Sequence, residues 1–314
     1  MLTGNGAIRL KVLTFNIRCD TGERDPADSW GHRQGERRQA VVDFLEKEGA
    51  DVFGLQEVKP AQLRFLANGL ATTYNHAGIG RERWGFGEAS PVFFKKSSFE
   101  LLRTEMRWLS ADPTRVGSKY DGAGCPRVVT AVHLRHHSGT DLFFFNTHLD
   151  HHGMERCDYS IQGAQGRILC NLIDEFCGNS TSPRILMGDF NSPNDAGAPP
   201  VVREQGYQDT CPGHCIETAT FVEFDGSAYG AAQHIDWIFT RGLNCTDYRI
   251  HEDQYKDSSG RARHRSDHLA VSVCADVPIQ PGASATQKAP AAVSSSPRAC
   301  CSLFLSSLCR SRGR

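Results

Sequence analysis

Six short apolar runs in this chain end or begin on a carboxylate, an amide or an imidazole. Asn16 follows LKVLTF, Gln56 and Glu57 follow DVFGL, and Asn146 and His148 follow LFFF, with Asp150 and His151 next. Asp189 and Asn191 follow ILMG, Asp236 precedes WIF, and Asp267 and His268 precede LAV. Runs this brief, rich in β-branched and aromatic residues, read as strands. A strand end is a fixed platform, so polar groups there can converge without leaving charge buried and unpaired elsewhere. Asp and Asn favour turns and caps on their own account, but the same behaviour at six strand ends points to a site.

The pattern extends over most of the chain. Leu10–Asn16, Val52–Gln56, Pro91–Lys95, Leu101–Leu109, Val128–Leu134, Leu142–Leu149, Ile185–Asp189, Ile235–Thr240 and His268–Cys274 read as strands. Gln34–Glu48, a stretch ending near Leu70, and Met154–Phe176 read as helices; the last places Ile161, Ala164, Ile168, Leu172 and Phe176 on one side. Strands dominate and no strict βαβ repetition occurs, which favours a mixed α/β protein with antiparallel pairing. Residues 8–276 form the expected folded domain. Residues 277–314, rich in Ala, Ser, Pro and Gln, have almost nothing to bury and read as a disordered tail.

Charge and cysteine usage narrow the classes. The chain of 314 residues has net charge −1, but the tail holds five basic residues and no acidic one, leaving 30 basic against 36 acidic in the rest. An acidic body suits a cation-binding enzyme and argues against a protein that grips nucleic acid by bulk charge. No window is apolar for 18 residues, and MLTGNGAIRLKVLTFN lacks the pattern of a secretory signal, so the expectation is an intracellular, cytoplasmic chain. Its twelve cysteines then stay reduced, and without a CxxC pair they do not spell a structural zinc site. The tail ends in CCSLFLSSLC followed by RSRGR. That segment is too short to span a bilayer; it reads as solvated, or as acylated and held in peripheral contact with an anionic membrane.

Taken in order, TFNIR (14–18), LQEV (55–58), NTHLD (146–150), GDFNS (188–192), HIDWIF (234–239) and SDH (266–268) resemble the endonuclease/exonuclease/phosphatase superfamily. The resemblance runs from about residue 10 to residue 275 and implies a four-layer sandwich, two mixed β-sheets face to face with flanking helices. It also implies phosphoester hydrolysis, which requires charge neutralised on a phosphoryl group and a water aimed in line. Oxygen ligands without thiolate indicate a hard divalent cation, Mg²⁺ first and Mn²⁺ second. By this resemblance Glu57 binds the metal, with Asn16 and Asp267 beside it. Asp189 orients or deprotonates the attacking water, and Asn191 holds the phosphate or that water. His268 meets the scissile phosphate, and Asp236 fixes its tautomer. His148 is similar to a second catalytic histidine of deoxyribonuclease-type members, with Glu88 as its carboxylate partner and Arg127 as a phosphate-binding arginine.

Two further features bear on the substrate. Asp28, Trp30, Gly31, Arg33 and Arg37 form a loop that either rims the pocket or packs Trp30 on the following helix. The basic run Arg261–Arg265, just ahead of Asp267, reads as a mobile solvated loop or as a contact for a polyanion. HIDWIF lacks the Trp-Cys-Asp-Arg pattern of inositol phosphatases, and Gln233 and His234 stand where abasic-site endonucleases carry an Arg. The leading expectation is a monomeric Mg²⁺-dependent phosphodiesterase or nuclease acting on RNA or DNA, such as a 3′–5′ exoribonuclease. The second is a phosphatase or phosphodiesterase acting on a phospholipid, a phosphoinositide or a small phosphorylated metabolite. A catalytically silent scaffold comes third, because no catalytic-type position is replaced, and a zinc-dependent protein last.

Overall fold

The computed structural model describes residues 7–21, 30, 36–222, 224 and 233–279. In chain order the strands are β1 (Ala7–Asn16), β2 (Val52–Gln56), β3 (Tyr74–Ala77), β4 (Val92–Lys95), β5 (Phe99–Trp108), β6 (Val128–His136) and β7 (Asp141–His148). They continue as β8 (Arg184–Asp189), β9 (Gln208–Asp209), β10 (Asp236–Arg241), β11 (Asn244–His251), β12 (Tyr255–Lys256), β13 (Ala262–Arg263) and β14 (Ala270–Pro278). The helices are α1 (Arg37–Glu48), α2 (Pro60–Gly69), α3 (Ser160–Cys177) and α4 (Ala198–Glu204). One six-stranded sheet has the order β11-β14-β1-β2-β4-β3 and the other β5-β6-β7-β8-β10-β9, with β12-β13 a separate pair.

Period-two alternation builds the layers. Val12, Val52, Phe94, Phe144, Ile185, Ile238 and Val271 point between the sheets. Their chain neighbours point the other way: Leu13, Phe15, Phe53 and Phe93 pack with Val41, Phe44, Leu45 and Leu66 of α1 and α2. Phe143, Phe145, Leu186 and Phe239 pack with Leu169, Leu172, Ile173, Phe176 and Val202 of α3 and α4. The central strands are therefore buried on both faces, which is why they read as unbroken apolar runs. The result is the four-layer sandwich that the resemblance implies.

A polar tie crosses the central layer close to the strand ends. Gln56 donates to Asn146 Oδ1 at 2.6 Å, and Asn146 Nδ2 donates to the carbonyls of Leu55 at 2.8 Å and Pro91 at 2.9 Å. Gly54 makes this approach feasible, because a Cβ there would stand 2.6 Å from the Asn146 amide. Gly54→Ala is therefore expected to destabilise the fold by ~1–3 kcal/mol, as overpacking does. Urea unfolding checks this, and an unchanged midpoint would show that the sheets separate there at no cost.

Some boundaries differ from the sequence reading. The described part of the first helix starts at Arg37, and residues 34–35 lie outside the described residues. The helix expected from Met154 starts at Ser160, because the chain first makes a one-turn 3₁₀ segment and then takes Cys157 to φ 54. β3, β11 and α4 were not anticipated: the two strands are sheet edges whose outer faces are polar, and α4 opens on a Pro pair. β14 continues through Val277 and Pro278, which pair with Ile8 and Ala7, so ordered structure runs past residue 276. The rest of the expected tail, from 280, lies outside the described residues. Among the described residues no helix is long and apolar enough to cross a membrane. The nine described cysteines are all free thiols.

Candidate active site

Strand register gathers the polar residues. β1 and β2 are parallel with Asn16 opposite Gln56, and β7 and β8 are parallel with His148 opposite Asp189. β10 runs antiparallel to β8 and starts where β8 ends, with Asp236 opposite Asp189. All these termini therefore lie at one end of the sandwich. Backbone bonds stitch the exits together: Leu149 N–H donates to Asp189 O at 2.9 Å, and Phe190 N–H to Ile235 O at 2.8 Å.

The innermost group is Asn16, Glu57, Asp189, Asp236 and His268. His268 Nδ1 lies 2.9 Å from Asp236 Oδ2, and its Nε2 faces Asp189 Oδ2 at 3.7 Å. Burial disfavours the imidazolium, but Asp236, Asp189 and Asp267 outweigh it and raise the ring to about 10. Burial, with Asp236 adding to it, pushes Asp189 up to about 7 against the pull of His268 and of bonds from Asn16 and Asn191. Near neutrality the site thus holds a charged imidazole beside a carboxyl poised to take or give a proton. Burial would raise Glu57 as well, but the Cys19 N–H at 2.9 Å, the His268 charge and the Asn16 amide hold it below the ordinary range. Glu57 sits at φ 61, a conformation that a residue with a Cβ rarely adopts.

Asn16 stands between the two carboxylates. Its Nδ2 donates to Asp189 Oδ2 at 2.9 Å and Glu57 Oε1 at 3.1 Å, while its Oδ1 accepts the Arg18 N–H at 3.0 Å. Asn16 thus joins the two carboxylates through its amide, and Oδ1, which keeps a second lone pair, is the one atom it could offer a cation. Asn191 spends its amide inside the protein: Nδ2 donates to Leu149 O at 3.0 Å and to His148 Nε2 at 3.0 Å, so its carbonyl oxygen is left to accept from a water and no N–H is left for a phosphate.

The expected pair of His148 with Glu88 does not form, and the carboxylate nearest His148 is instead Asp189, whose Oδ2 lies 3.4 Å from Nε2. Glu88 Oε2 is 2.8 Å from Arg81 Nη1, a buried arginine that claims the charge. His148 accepts from Asn191 at Nε2, which puts its proton on Nδ1, and Nδ1 has no partner among the described residues. Burial, reinforced by Arg127 and Arg81, keeps the ring neutral, well below its usual range. Arg127 is buried too. Its Nε stands 3.6 Å from Asp150 Oδ2, its Nη2 3.0 Å from His151 Nδ1, and its Nη1 has no partner among the described residues. Asp150 also accepts N–H bonds from Gly124, Cys125 and His152, so it anchors the turn that leads into Arg127.

These side chains surround a cavity of about 470 Å³. Glu57, Glu88, Arg127, His148, Asp189, Asn191, Asp267 and His268 line it, with Asn16 and Asp236 behind. The sequence reading had not singled out Arg18, Arg81, Cys125 or Phe221, which also line it. Arg81 carries no local signal beyond its proximity to Glu88, whereas Asp150 ends the NTHLD motif and His151 follows it, where the sequence places both at a strand end.

The donor set fits a hard divalent cation. Asp189, Asp236 and His268 bring one ligand atom each within 4.8 Å of one another. However, Asp236 and His268 already share a proton, and the ring is cationic, which opposes a metal at that point. The cavity-facing carboxylates of Glu57 and Asp267 share no proton with a ring, and the Arg18 guanidinium stands beside them, its Nη1 3.5 Å from Asp267 Oδ2. Cys19 also lines the cavity, but burial pushes its thiol up to about 12, so it supplies no thiolate and the donors are oxygens.

Two expected contacts resolve as structure. Trp30 is buried against Phe65, and the fully buried Arg37 donates to Ile17 O at 2.5 Å and lies over the Trp30 ring, so both pack behind the site. Asp28, Gly31 and Arg33 lie outside the described residues. The basic run is neutralised from within: Arg261 and Arg263 pair with Asp257, and Arg265 pairs with Asp253.

A pocket of carboxylates, imidazoles and arginines at the strand ends of a four-layer sandwich is the architecture of a phosphoester hydrolase. Residues 13–268 match the endonuclease/exonuclease/phosphatase family, and the chain belongs to it. Members of this family are in general divalent-metal-dependent phosphoester hydrolases. No curated protein matches the sequence. Among solved structures, a family protein from Bacteroides thetaiotaomicron is 24% identical at TM-score 0.76, covering 87% of this chain and 100% of its own. A mannosyl-6-phosphatase from the same organism is 25% identical at TM-score 0.73, covering 84% and 98%. TDP2 from Caenorhabditis elegans, in truncated form, is 19% identical at TM-score 0.64, covering 88% and 99%.

Proposed function

We propose that the chain is a Mg²⁺-dependent hydrolase of a compact phosphoester, one whose phosphate and first attached group fill the pocket. The observation that carries this reading is the meeting of His268, Asp189, Glu57 and Asp267 on one half-open cavity of about 470 Å³. Glu57 and Asp267 would hold the cation, which when bound withdraws charge from a phosphoryl oxygen. His268, charged through Asp236, donates from Nε2 to a phosphoryl oxygen and stabilises the charge that builds there. Asp189 takes the proton of the attacking water. Arg127 offers its unpartnered Nη1 to another phosphate oxygen, where a guanidinium suits an anion well.

The nuclease reading comes second. The acidic body and the internal pairing of Arg261, Arg263 and Arg265 leave no basic stripe there for a polynucleotide to follow. The likeness to a phosphatase of a sugar phosphate supports the compact substrate, and the likeness to TDP2 supports the fold alone.

A parallel assay decides between them. Purified protein with Mg²⁺ is offered a sugar 6-phosphate, phosphoinositides, bis-p-nitrophenyl phosphate, oligo(A) and duplex DNA. Hydrolysis of a small ester that chelation abolishes is the expected result. Glu57→Ala should raise the Mg²⁺ requirement by at least ~10-fold. Cleavage confined to the oligonucleotides would overturn the compact-substrate reading, and undiminished turnover in EDTA would overturn the metal.

A further inference from the structure

We infer that the mouth of the active-site pocket docks on a phospholipid surface through the loop between β3 and β4, with Trp84 as the inserting side chain. The inference rests on the phosphoester reading above, because it states where such an ester would lie. Ile79, Trp84 and Phe86 are the large apolar side chains most exposed among the described residues, at 58%, 91% and 61%, and all three belong to this one loop. Isolated exposed apolar residues are ordinary, but a cluster on one protrusion marks a contact surface.

The loop is built, not slack. Gly80 pairs with Ala89, Arg81 N–H donates to Glu88 O at 3.0 Å, and Glu82 N–H donates to Phe86 O at 2.9 Å. Gly80 leaves no room for a side chain, since a Cβ there would lie 2.2 Å from Phe86 O. At the tip, Trp84 takes φ 62, a left-handed conformation unfavourable for an indole-bearing residue. The fold thus holds the most exposed large apolar side chain among the described residues in a strained backbone at the end of a braced arm.

The base of the arm is the pocket wall. Arg81 and Glu88, paired at 2.8 Å, line the cavity. Trp108 Nε1–H donates to Arg81 O at 2.8 Å and so fastens the arm to a second loop, residues 109–118, which carries exposed Val116. Arg83 on the first loop and Arg115 on the second are exposed and have no carboxylate partner among the described residues, unlike Arg103 and Arg107 on the strand between them, which are engaged by Phe176 O and Glu105. An indole and a phenyl beside the exposed Arg83 guanidinium match the level of a bilayer where acyl chains meet phosphates. The sequence supplies an independent pointer to the same medium in the Cys-, Leu- and Arg-bearing end, residues 300–314. Single weak anchors bind membranes only marginally, so stable attachment takes two. A single-stranded nucleic acid could also stack on Trp84, but the acidic body disfavours it.

The full chain is mixed with vesicles of phosphatidylcholine and phosphatidylserine, some carrying brominated acyl chains. The expected result is quenching of indole emission by the brominated lipid, lost in Trp84→Phe, which identifies the tip whatever the tail does. Trp84→Ala/Phe86→Ala should sediment with vesicles at least ~10-fold less well while its turnover of a soluble ester is unchanged. Absence of quenching, or equal quenching in Trp84→Phe, overturns the inference. So does quenching of Trp84 by an oligonucleotide when vesicles leave it untouched. Turnover of the soluble ester tests the phosphoester reading separately.

Discussion

Asp189→Asn should lower kcat/KM for phosphoester hydrolysis by ~10²–10⁴-fold, the scale of general acid–base catalysis. The wild-type rate should rise along a limb centred near the Asp189 value of about 7, and the variant should lack that limb. Stability should move the other way. Burial lifts this carboxyl above its ordinary 3.8, so the folded state binds its proton more tightly than the unfolded chain does. Its stabilising contribution is complete below 3.8 and disappears as pH climbs through about 7. The asparagine cannot ionise and does not suffer that loss. At about pH 8 its urea midpoint should equal or exceed that of the wild type. A variant that turns over normally, or keeps the limb near neutrality, removes Asp189 from the role of base.

The second large effect belongs to Asp236, which never reaches the cavity wall. Asp236→Asn should move the alkaline limb of the rate profile, set in the wild type by His268 at about 10, downward by ~1–3 units, as loss of an adjacent opposite charge does. Turnover at about pH 9 should fall ~2-fold for a shift of about one unit and ~10-fold or more for about two, because less of the ring would be charged. The stability sign follows from a raised imidazole. Its contribution is full below 6.5, the ordinary value, and lost as pH rises through about 10. The variant should therefore be most destabilised in mildly acidic solution and approach the wild type in strong alkali. A profile with its alkaline limb unmoved would show that Asp189 and Asp267 hold the charge on His268 without Asp236.

Much of the site was legible because its determinants are local in the chain. The run LKVLTF must emerge from a core, and the residue that follows it must sit at a strand end, whatever else the chain does. The same reasoning located Glu57, His148, Asp189, Asp236 and His268, and all of them meet. Edge strands such as β3 and β11 escaped because half of each faces solvent and leaves no apolar run. The small hairpin of β12 and β13 escaped for its brevity.

What residue types cannot reveal is who pairs with whom. Glu88 looked like the partner of His148 until a buried arginine seven positions earlier in the chain turned out to hold it. Asn16 could have offered its oxygen or its amide, and only the Arg18 N–H decided which faces the carboxylates. The basic run at 261–265 looked available until Asp253 and Asp257 appeared beside it. The sequence by itself determined the layered α/β class, the family and the set of polar residues at the strand ends, because strand periodicity and motif order are properties of neighbours along the chain. The tertiary structure alone decided the partners, the protonation states and the exposed aromatic arm. Hydrogen bonds and desolvation act over a few ångströms of space, and Asn16 and Asp189, 173 positions apart in the chain, lie within that range.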